Sequence, residues 1–397
     1  MWHKQVSPRT IVWVANRDSP VQETASSCLL KISDGNLILH DNMTDRTIWS
    51  TSLSSSSSTD VQAVLLDNGN LVLRDGPTSS ATLLWQSFDH LSDTWLPGAK
   101  IRFNNIKLGS QRLTSWKSSI DPSSGRYSLE VDSNTKNSLI TVWNGSKSYW
   151  SSGPWDDKLR AFKKVPDHTA TILSFIMNLN ESFITHSVDH YSMYRLVMDV
   201  SGRFMLYIWL VEAQIWSVVW SSPTDSCAVY NYCGSFGICN ETQELPPCRC
   251  VPGFKRAFRQ GSDSNDFSGG CISESQLQCG NGNDKFLPIE NMKLATDPTA
   301  WVSSALLVTT CASTCLADCS CKAYADNGTK CLMWTRDAFN LQQLDANKSK
   351  GHTFFLRLFS SNISIGTSNK GKTKHSKGRS IVLLKHGFRG RKGFNRL

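Results

Sequence analysis

Alternating apolar and polar positions, interrupted by Asp-Gly or Asn-Gly, recur in the first hundred residues of this 397-residue chain. Residues 32–39 (ISDGNLIL) return as residues 66–73 (LDNGNLVL), offset by 34, and Trp13, Trp49 and Trp85 lie 36 residues apart. Period-two alternation predicts strands, and Asp-Gly or Asn-Gly between them predicts type I′ hairpins, because these residues tolerate positive φ. Hairpins this small bury their apolar faces only by stacking, here around a shared tryptophan core.

A third hairpin is expected before Trp13, but only twelve residues precede it. We therefore expect the repeat to be incomplete at its N-terminus. Residues 1–8 lack the apolar stretch of a signal peptide. No segment reaches the roughly 18 apolar residues of a membrane helix, and residues 381–384 are the most apolar run near the C-terminus.

The following segment, residues 104–222, carries short period-two strands rich in aromatic residues, such as 127–131 and 204–210. Turn residues separate these strands at short intervals. The pattern predicts an all-β middle region and a mainly β, multidomain chain.

Twelve of the thirteen cysteines lie between Cys227 and Cys331. An even set at this density indicates disulfide bonds formed in an oxidising, extracellular compartment. Zinc is the alternative, but the block contains no C-x-x-C pair and no histidine. Cys311, Cys315 and Cys319 recur at every fourth position, which predicts that they share one helix face.

The net charge of +9 is concentrated at the C-terminus. Residues 366–397 carry ten basic and no acidic side chains, whereas residues 1–365 carry 32 basic and 33 acidic ones. A nearly neutral body offers no electrostatic footprint for nucleic acid. We interpret the tail as a disordered end, an extension from a truncated gene, or the remnant of a juxtamembrane segment.

Several segments resemble one plant family, the S-domain proteins, which comprise S-locus glycoproteins and G-type lectin S-receptor-like kinases. Residues 10–18 (TIVWVANRD) and 84–98 (LWQSFDHLSDTWLPG) are nearly verbatim family signatures. The resemblance implies a bulb-type lectin β-prism, a β-rich S-locus glycoprotein domain, an EGF-like module and an α+β PAN/apple domain. We expect the lectin domain at residues 1–103, the S-locus glycoprotein domain at 104–222, the EGF-like module at 223–271 and the PAN/apple domain at 279–358. The basic tail follows at 359–397.

In bulb-type lectins the mannose site reads Gln-x-Asp-x-Asn-x-Val-x-Tyr. The copies in this chain keep Asp34, Asn36 and Asn70, and Asn68 stands at the Asp position of the second copy; these four are the candidate sugar-binding residues. Gln is replaced by Ile32 and Leu66, and Tyr by His40 and Arg74. Losing these polar groups should weaken a site that must replace water at each sugar hydroxyl. The alternative interpretation is that the Asp-Gly-Asn sequence serves only to form the hairpin turn and does not bind sugar.

The family pattern also implies six disulfides and leaves Cys28 over. A small buried thiol is our interpretation of Cys28, with an intermolecular bridge as the alternative. The implied pairs are Cys227–Cys239, Cys233–Cys248, Cys250–Cys271, Cys279–Cys319, Cys311–Cys331 and Cys315–Cys321. Seven sequons predict N-glycosylation at Asn42, Asn144, Asn180, Asn240, Asn327, Asn347 and Asn362.

One segment matches a catalytic motif. Residues 366–373 fit the phosphate-binding G-x-x-x-x-G-K-[ST] pattern, but only 24 residues follow and none is acidic, so no magnesium-binding Asp is available. Because no acidic cluster precedes Cys227, we also predict no calcium site. We expect no enzyme activity, no cofactor and no bound metal.

Two functions remain. The first is a non-catalytic extracellular recognition protein, either secreted or associated with the plasma membrane, without the kinase of its larger relatives. Its partners would be a peptide, protein or glycan ligand, with a second copy or a receptor kinase as dimer partner. The second is a secreted mannose-binding lectin. Asp34, Asn36 and Asn70 favour the lectin, whereas the lost Gln and Tyr and the appended cystine modules favour the receptor class.

Overall fold

The fold is mainly β and is divided among several regions, which confirms the predicted class. No helix among the residues given below is long and apolar enough to cross a bilayer. The computed structural model describes residues 1, 6, 9–21, 28–54, 60–78, 81–103, 110–158, 161–165, 173–177, 182–187, 193–240, 247–257, 267, 269–279, 283–303, 308–326, 330–345, 347 and 350–359.

The first region, which we call the lectin repeat, contains two antiparallel three-stranded sheets with the same arrangement. Leu39 lies opposite Trp49 in one sheet and Leu73 lies opposite Trp85 in the other, and a register shift follows each pair. The strands are β1 (Cys28–Ser33), β2 (Asn36–Asp41) and β3 (Arg46–Ser50), then β4 (Val61–Leu65), β5 (Leu71–Asp75) and β6 (Thr82–Gln86). A short 3-10 helix, Ser87–Asp89, follows β6.

The three repeated tryptophans meet at the core of this region. Their ring centroids are 5.8–6.0 Å apart, and the rings pack edge to face. Trp13 and Trp85 are buried beside Leu37 and Leu73, one leucine from each of the two repeats. Edge-to-face aromatic pairs add to the stability gained from apolar burial, so the tryptophan spacing builds the shared core.

Among the described residues, the middle region has three larger sheets and the two-stranded pair of Trp155–Asp156 with Ala161–Phe162 around one core that includes the fully buried Trp95. Three successive strands, β7 (Thr94–Trp95), β8 (Lys100–Phe103) and β9 (Arg112–Trp116), each enter a different sheet. Residues from Thr94 onward therefore already contribute strands to the sheets of the middle region. The remaining strands are β10 (Ser124–Val131), β11 (Leu139–Trp143), β12 (Lys147–Ser151), β13 (Trp155–Asp156), β14 (Ala161–Phe162), β15 (Leu173–Met177), β16 (Ser182–His186), β17 (Tyr194–Met198), β18 (Phe204–Leu210) and β19 (Ile215–Ser222).

The signature Asn-Arg-Asp joins the lectin repeat to the middle region. The Arg17 guanidinium donates to the carbonyls of Pro122, Thr114, Ser115 and Ser123 at 2.8–3.5 Å. The Asp18 carboxylate accepts from the backbone N–H and hydroxyl of Ser124 at 2.7 and 2.8 Å. Charged groups make the stronger hydrogen bonds in proteins, so this pair of residues holds the two regions together.

The cystine-rich part forms one sheet that crosses the expected EGF-like and PAN regions. Its crossing point is the parallel pairing of β20 (Gly237–Cys239) with β28 (Leu341–Gln343). The other members are β21 (Cys248–Cys250), β24 (Asp284–Lys293), β25 (Ala300–Ser303), β26 (Ala323–Asp326), β27 (Lys330–Trp334) and β29 (His352–Phe359). β22 (Phe254–Arg256) and β23 (Cys271–Ser273) form a separate pair, and a 3-10 helix, Ser226–Ala228, precedes β20.

The helix α1 (Val308–Ala317) is shorter than the cysteine spacing predicts. Cys311 and Cys315 lie on it, but Cys319 lies beyond its end, so the prediction of three cysteines on one helix face was wrong. The Arg357 side chain accounts for the ending, because its Nη1 donates to the carbonyls of Cys315, Asp318 and Cys321 at 2.8–3.2 Å. The last carbonyls of a helix have no partner within it, and Arg357 supplies one.

Arg357 also forms a buried ion pair with Asp284, at 3.0 Å between Nη2 and Oδ2, with side chains 1% and 3% exposed. We predict that Arg357→Met, which leaves the Asp284 carboxylate buried without its partner, destabilises the fold by about 3–5 kcal/mol. Thermal unfolding followed by circular dichroism measures the effect. Lys147→Met is the matched control, since it removes a solvent-exposed pair with Asp297. Equal melting temperatures for the two variants would show that the buried pair does not hold this sheet.

Candidate ligand-binding site

The first lectin motif lies at the turn between β1 and β2. Asp34 and Gly35 both have positive φ, 49° and 75°, as in the predicted type I′ turn. A groove of about 380 Å³ runs over the outer face of this sheet. It is lined by Lys31, Ser33, Asp34, Asn36, Ile38, His40, Thr47 and Ser50.

The Asn36 amide faces the loop that follows β3. Its Oδ1 accepts from the Thr51 hydroxyl at 2.9 Å and from the Leu53 backbone N–H at 2.7 Å. Its Nδ2 donates to the carbonyls of Leu53 and Asp34 at 3.2 and 3.3 Å. A carboxamide has two donor and two acceptor positions, so the chain itself satisfies all four.

The second copy is arranged in the same way. The Asn70 Oδ1 accepts from the Ser87 hydroxyl and the Phe88 backbone N–H, both at 3.2 Å. Its Nδ2 donates to the Gln86 side chain at 2.9 Å, and the residue is only 5% exposed. Asn68 is exposed and accepts the Asn70 backbone N–H at 3.1 Å. The motif asparagines therefore hold the loops after β3 and β6.

The turn of the second copy differs from the prediction. Only Gly69 has positive φ, 84°, and the loop runs from residue 66 to residue 70. A Cβ at Gly69 would lie 2.8 Å from Leu96 Cδ1. Close packing against the middle region, rather than a type I′ hairpin, explains this glycine.

The residues that replace Gln and Tyr of the mannose motif do not form a sugar site. His40 contacts Asp45 at 3.3 Å, and Arg74 donates to the Pro77 carbonyl at 2.8 Å. Ile32 and Leu66 are exposed. Of the four candidate sugar-binding residues, only Asp34 and Asn68 present side chains largely to solvent.

The sequence motif did not identify the residues that satisfy these asparagines. Thr51 and Ser87 each lie two residues after a repeated tryptophan, and each hydroxyl also accepts a backbone N–H, from Leu37 and Leu71. A hydroxyl at the second position after Trp49 and Trp85 is the signal that would have identified them.

The other predicted site residues are placed as follows. The six disulfides in the structure are the six pairs implied by the family pattern. The sulfurs of Cys233, Cys239 and Cys248 lie within 4.8 Å of one another, but all three belong to disulfides. Cys28 is unpaired and half-buried, so its interpretation as a buried thiol was wrong; it begins an edge strand of its sheet.

The predicted glycosylation sites differ in accessibility. Asn42, Asn144 and Asn347 are exposed, whereas Asn240 is 8% exposed. Asn180, Asn327 and Asn362, together with residues 366–373, lie outside the described residues.

Comparison with known proteins identifies the lectin, S-locus glycoprotein and PAN modules. A family model described as D-mannose binding lectin matches residues 10–117, one described as S-locus glycoprotein domain matches 150–258, and one described as PAN-like domain matches 279–341. The S-locus-specific glycoprotein S6 of Brassica oleracea is 35% identical, and the match covers 90% of this chain and 82% of that protein. This chain belongs to the S-domain family.

Longer members of the S-domain family match this chain even more closely. One G-type lectin S-receptor-like serine/threonine-protein kinase of Arabidopsis thaliana is 63% identical, over 96% of this chain and 47% of the relative. Another from the same plant is 47% identical, over 94% of the chain and 46% of the relative. The chain thus spans about half the length of these kinase relatives, and no kinase domain is detected in it.

We predict that Asn36→Ala and Asn70→Ala each destabilise the lectin repeat by about 1–3 kcal/mol, because each leaves buried loop donors unpaired. The melting temperature reports this loss. Asn68→Ala is the control, since its side chain is exposed and makes one hydrogen bond. If all three variants had the same melting temperature, Asn36 and Asn70 would not be stabilising the lectin repeat.

Proposed function

We propose that this S-domain chain is a non-catalytic recognition protein that acts outside the cell. The observation that carries the proposal is that the Asn36 and Asn70 amides of the lectin motif are occupied by hydrogen bonds within the chain. A lectin scaffold whose sugar-binding amides serve the fold is suited to a ligand other than mannose at this motif. The ligand classes are a peptide, a protein or a glycan derived from the cell wall.

An extracellular location is supported by the dense disulfide set. Six bridges lie within residues 227–331, and such sets persist in oxidising compartments. The exposed sequons Asn42, Asn144 and Asn347 are the positions at which we propose glycans. Among the similar proteins, one is named an S-locus-specific glycoprotein and others are named receptor-like kinases. We propose self/non-self recognition or defence signalling, with a second copy or a receptor kinase as dimer partner.

A mannose-binding lectin is the second candidate. The groove beside Asp34 favours it, because that carboxylate is exposed and a hydroxyl-rich surface surrounds it. The occupied Asn36 amide argues against it, since a sugar would have to break bonds that close the loop after β3.

Titration with methyl α-mannoside tests the two candidates. We predict a dissociation constant no tighter than about 1 mM, equivalent to roughly −4 kcal/mol. Isothermal calorimetry on the secreted, disulfide-bonded chain makes the measurement, with Asp34→Ala as the site variant and Asp45→Ala as an exposed acidic control. Micromolar binding lost only in Asp34→Ala would establish the lectin candidate instead.

A further inference from the structure

A half-open cleft of about 450 Å³ lies where the three repeated tryptophans meet, on the side of the segment 50–52 that follows β3. We call it the tryptophan cleft and define it by Trp13, Trp49, Trp85, His90 and the serines at 50 and 52. Its volume falls within the range of about 300–1,000 Å³ that small-molecule sites occupy. The lectin motif does not include these residues, apart from sharing the rim residue Ser50 with the motif groove.

The indole N–H groups of the cleft are not equally satisfied. Trp13 Nε1 donates to the His90 carbonyl at 2.7 Å. The indole N–H groups of Trp49 and Trp85 have no hydrogen-bond partner among the residues that the structure describes; Trp85 is 8% exposed and Trp49 is only partly buried. Neither indole nitrogen is among the buried polar atoms that lack a partner, so both are accessible and can donate to a bound ligand.

The cleft offers no free charge. Arg17 reaches its wall, but the guanidinium donates to four backbone carbonyls in the middle region. The His90 ring stacks on Trp85 with centroids 5.1 Å apart, and burial lowers the pKa of His90 below its ordinary value. A neutral imidazole keeps one donor and one acceptor nitrogen. The lining therefore combines aromatic surface with uncharged donors and acceptors.

The rim of the cleft is held in an unfavourable backbone conformation. Ser52 has φ of 53°, in the left-handed region that side chains other than glycine seldom adopt. Its neighbours Thr51 and Leu53 are fixed by the Asn36 amide. Residues in sparsely populated conformations persist only where surrounding contacts hold them, and they cluster at functional sites.

We propose that the tryptophan cleft binds an uncharged sugar ring of an oligosaccharide. Sugar hydroxyl oxygens accept from the Trp49 and Trp85 N–H groups, hydroxyl protons donate to the neutral His90 ring, and ring C–H groups meet indole surface. An acidic sugar lacks a free cation here, and a wholly apolar ligand would leave the donors unpaired. The proposal rests on the proposed recognition function and names one ligand class for it.

Tryptophan emission tests the proposal during titration of the complete chain. The probes are tetrasaccharides derived from cellulose, xyloglucan and mannan, with a tetragalacturonide as the acidic arm. His90→Phe keeps the stack on Trp85 but removes the ring nitrogens, and Ser52→Gly removes the hydroxyl while relieving the φ restriction. His40→Phe, in the motif groove, is the matched control. Because Ser52→Gly should fold at least as stably as the parent, a loss of binding there cannot be attributed to unfolding.

We expect at least one neutral tetrasaccharide to change the emission. Its affinity should fall about five- to tenfold in His90→Phe and Ser52→Gly and remain unchanged in His40→Phe. Three outcomes would overturn the cleft as a sugar site: no response to any neutral probe up to about 10 mM, a preference for the acidic probe, or a loss confined to His40→Phe. The last outcome places the sugar in the motif groove, which removes this inference while leaving glycan recognition intact.

Discussion

A polar group removed from water needs a hydrogen-bond partner, and this constraint organises the N-terminal half of the molecule. Asn36 and Asn70 occupy equivalent positions of the two repeats, and each saturates the loop that follows its sheet. Those loops carry the chain away from Trp49 and Trp85, so the asparagines also set the position of the shared aromatic core. The asparagines of the sugar motif are the same side chains that hold these loops, and in this structure their amides are hydrogen-bonded to the loops.

The same constraint operates where the regions meet. Arg17 gives its donors to backbone carbonyls beside the bulge between β9 and β10, and Asp18 accepts from Ser124. Asp93 is buried nearby, and burial raises its pKa although the charges of Arg17 and Arg195 oppose that change. In the cystine-rich part, Arg357 serves the end of α1 and Asp284 together. The first family signature, residues 10–18, therefore contains the two residues that join the lectin repeat to the middle region.

Local patterns predicted the strands, the tryptophan core and the first turn, because each depends on residues close in sequence. The Asp34-Gly35 turn needs only two residues that tolerate positive φ. The turn at Gly69 differed because Leu96 approaches it from the middle region, and α1 ended before Cys319 because a residue on β29 binds its last carbonyls. Local patterns also do not show that β7 and β8 pair with strands about 100 and about 80 residues further along the chain. For the candidate site, the sequence located Asn36 and Asn70, but the partners that occupy them lie 15–18 residues further on.

Amide hydrogen exchange at Leu53 and Phe88 tests most directly whether the motif asparagines serve the fold. Both N–H groups donate to asparagine side chains, so their exchange reports whether Asn36 and Asn70 are occupied. Exchange is measured by NMR with and without saturating methyl α-mannoside. We predict that both amides exchange slowly and that the sugar leaves their rates unchanged. Exchange at the rate of an unstructured peptide, or acceleration when mannoside is added, would show that the asparagines are available to sugar and would contradict this prediction.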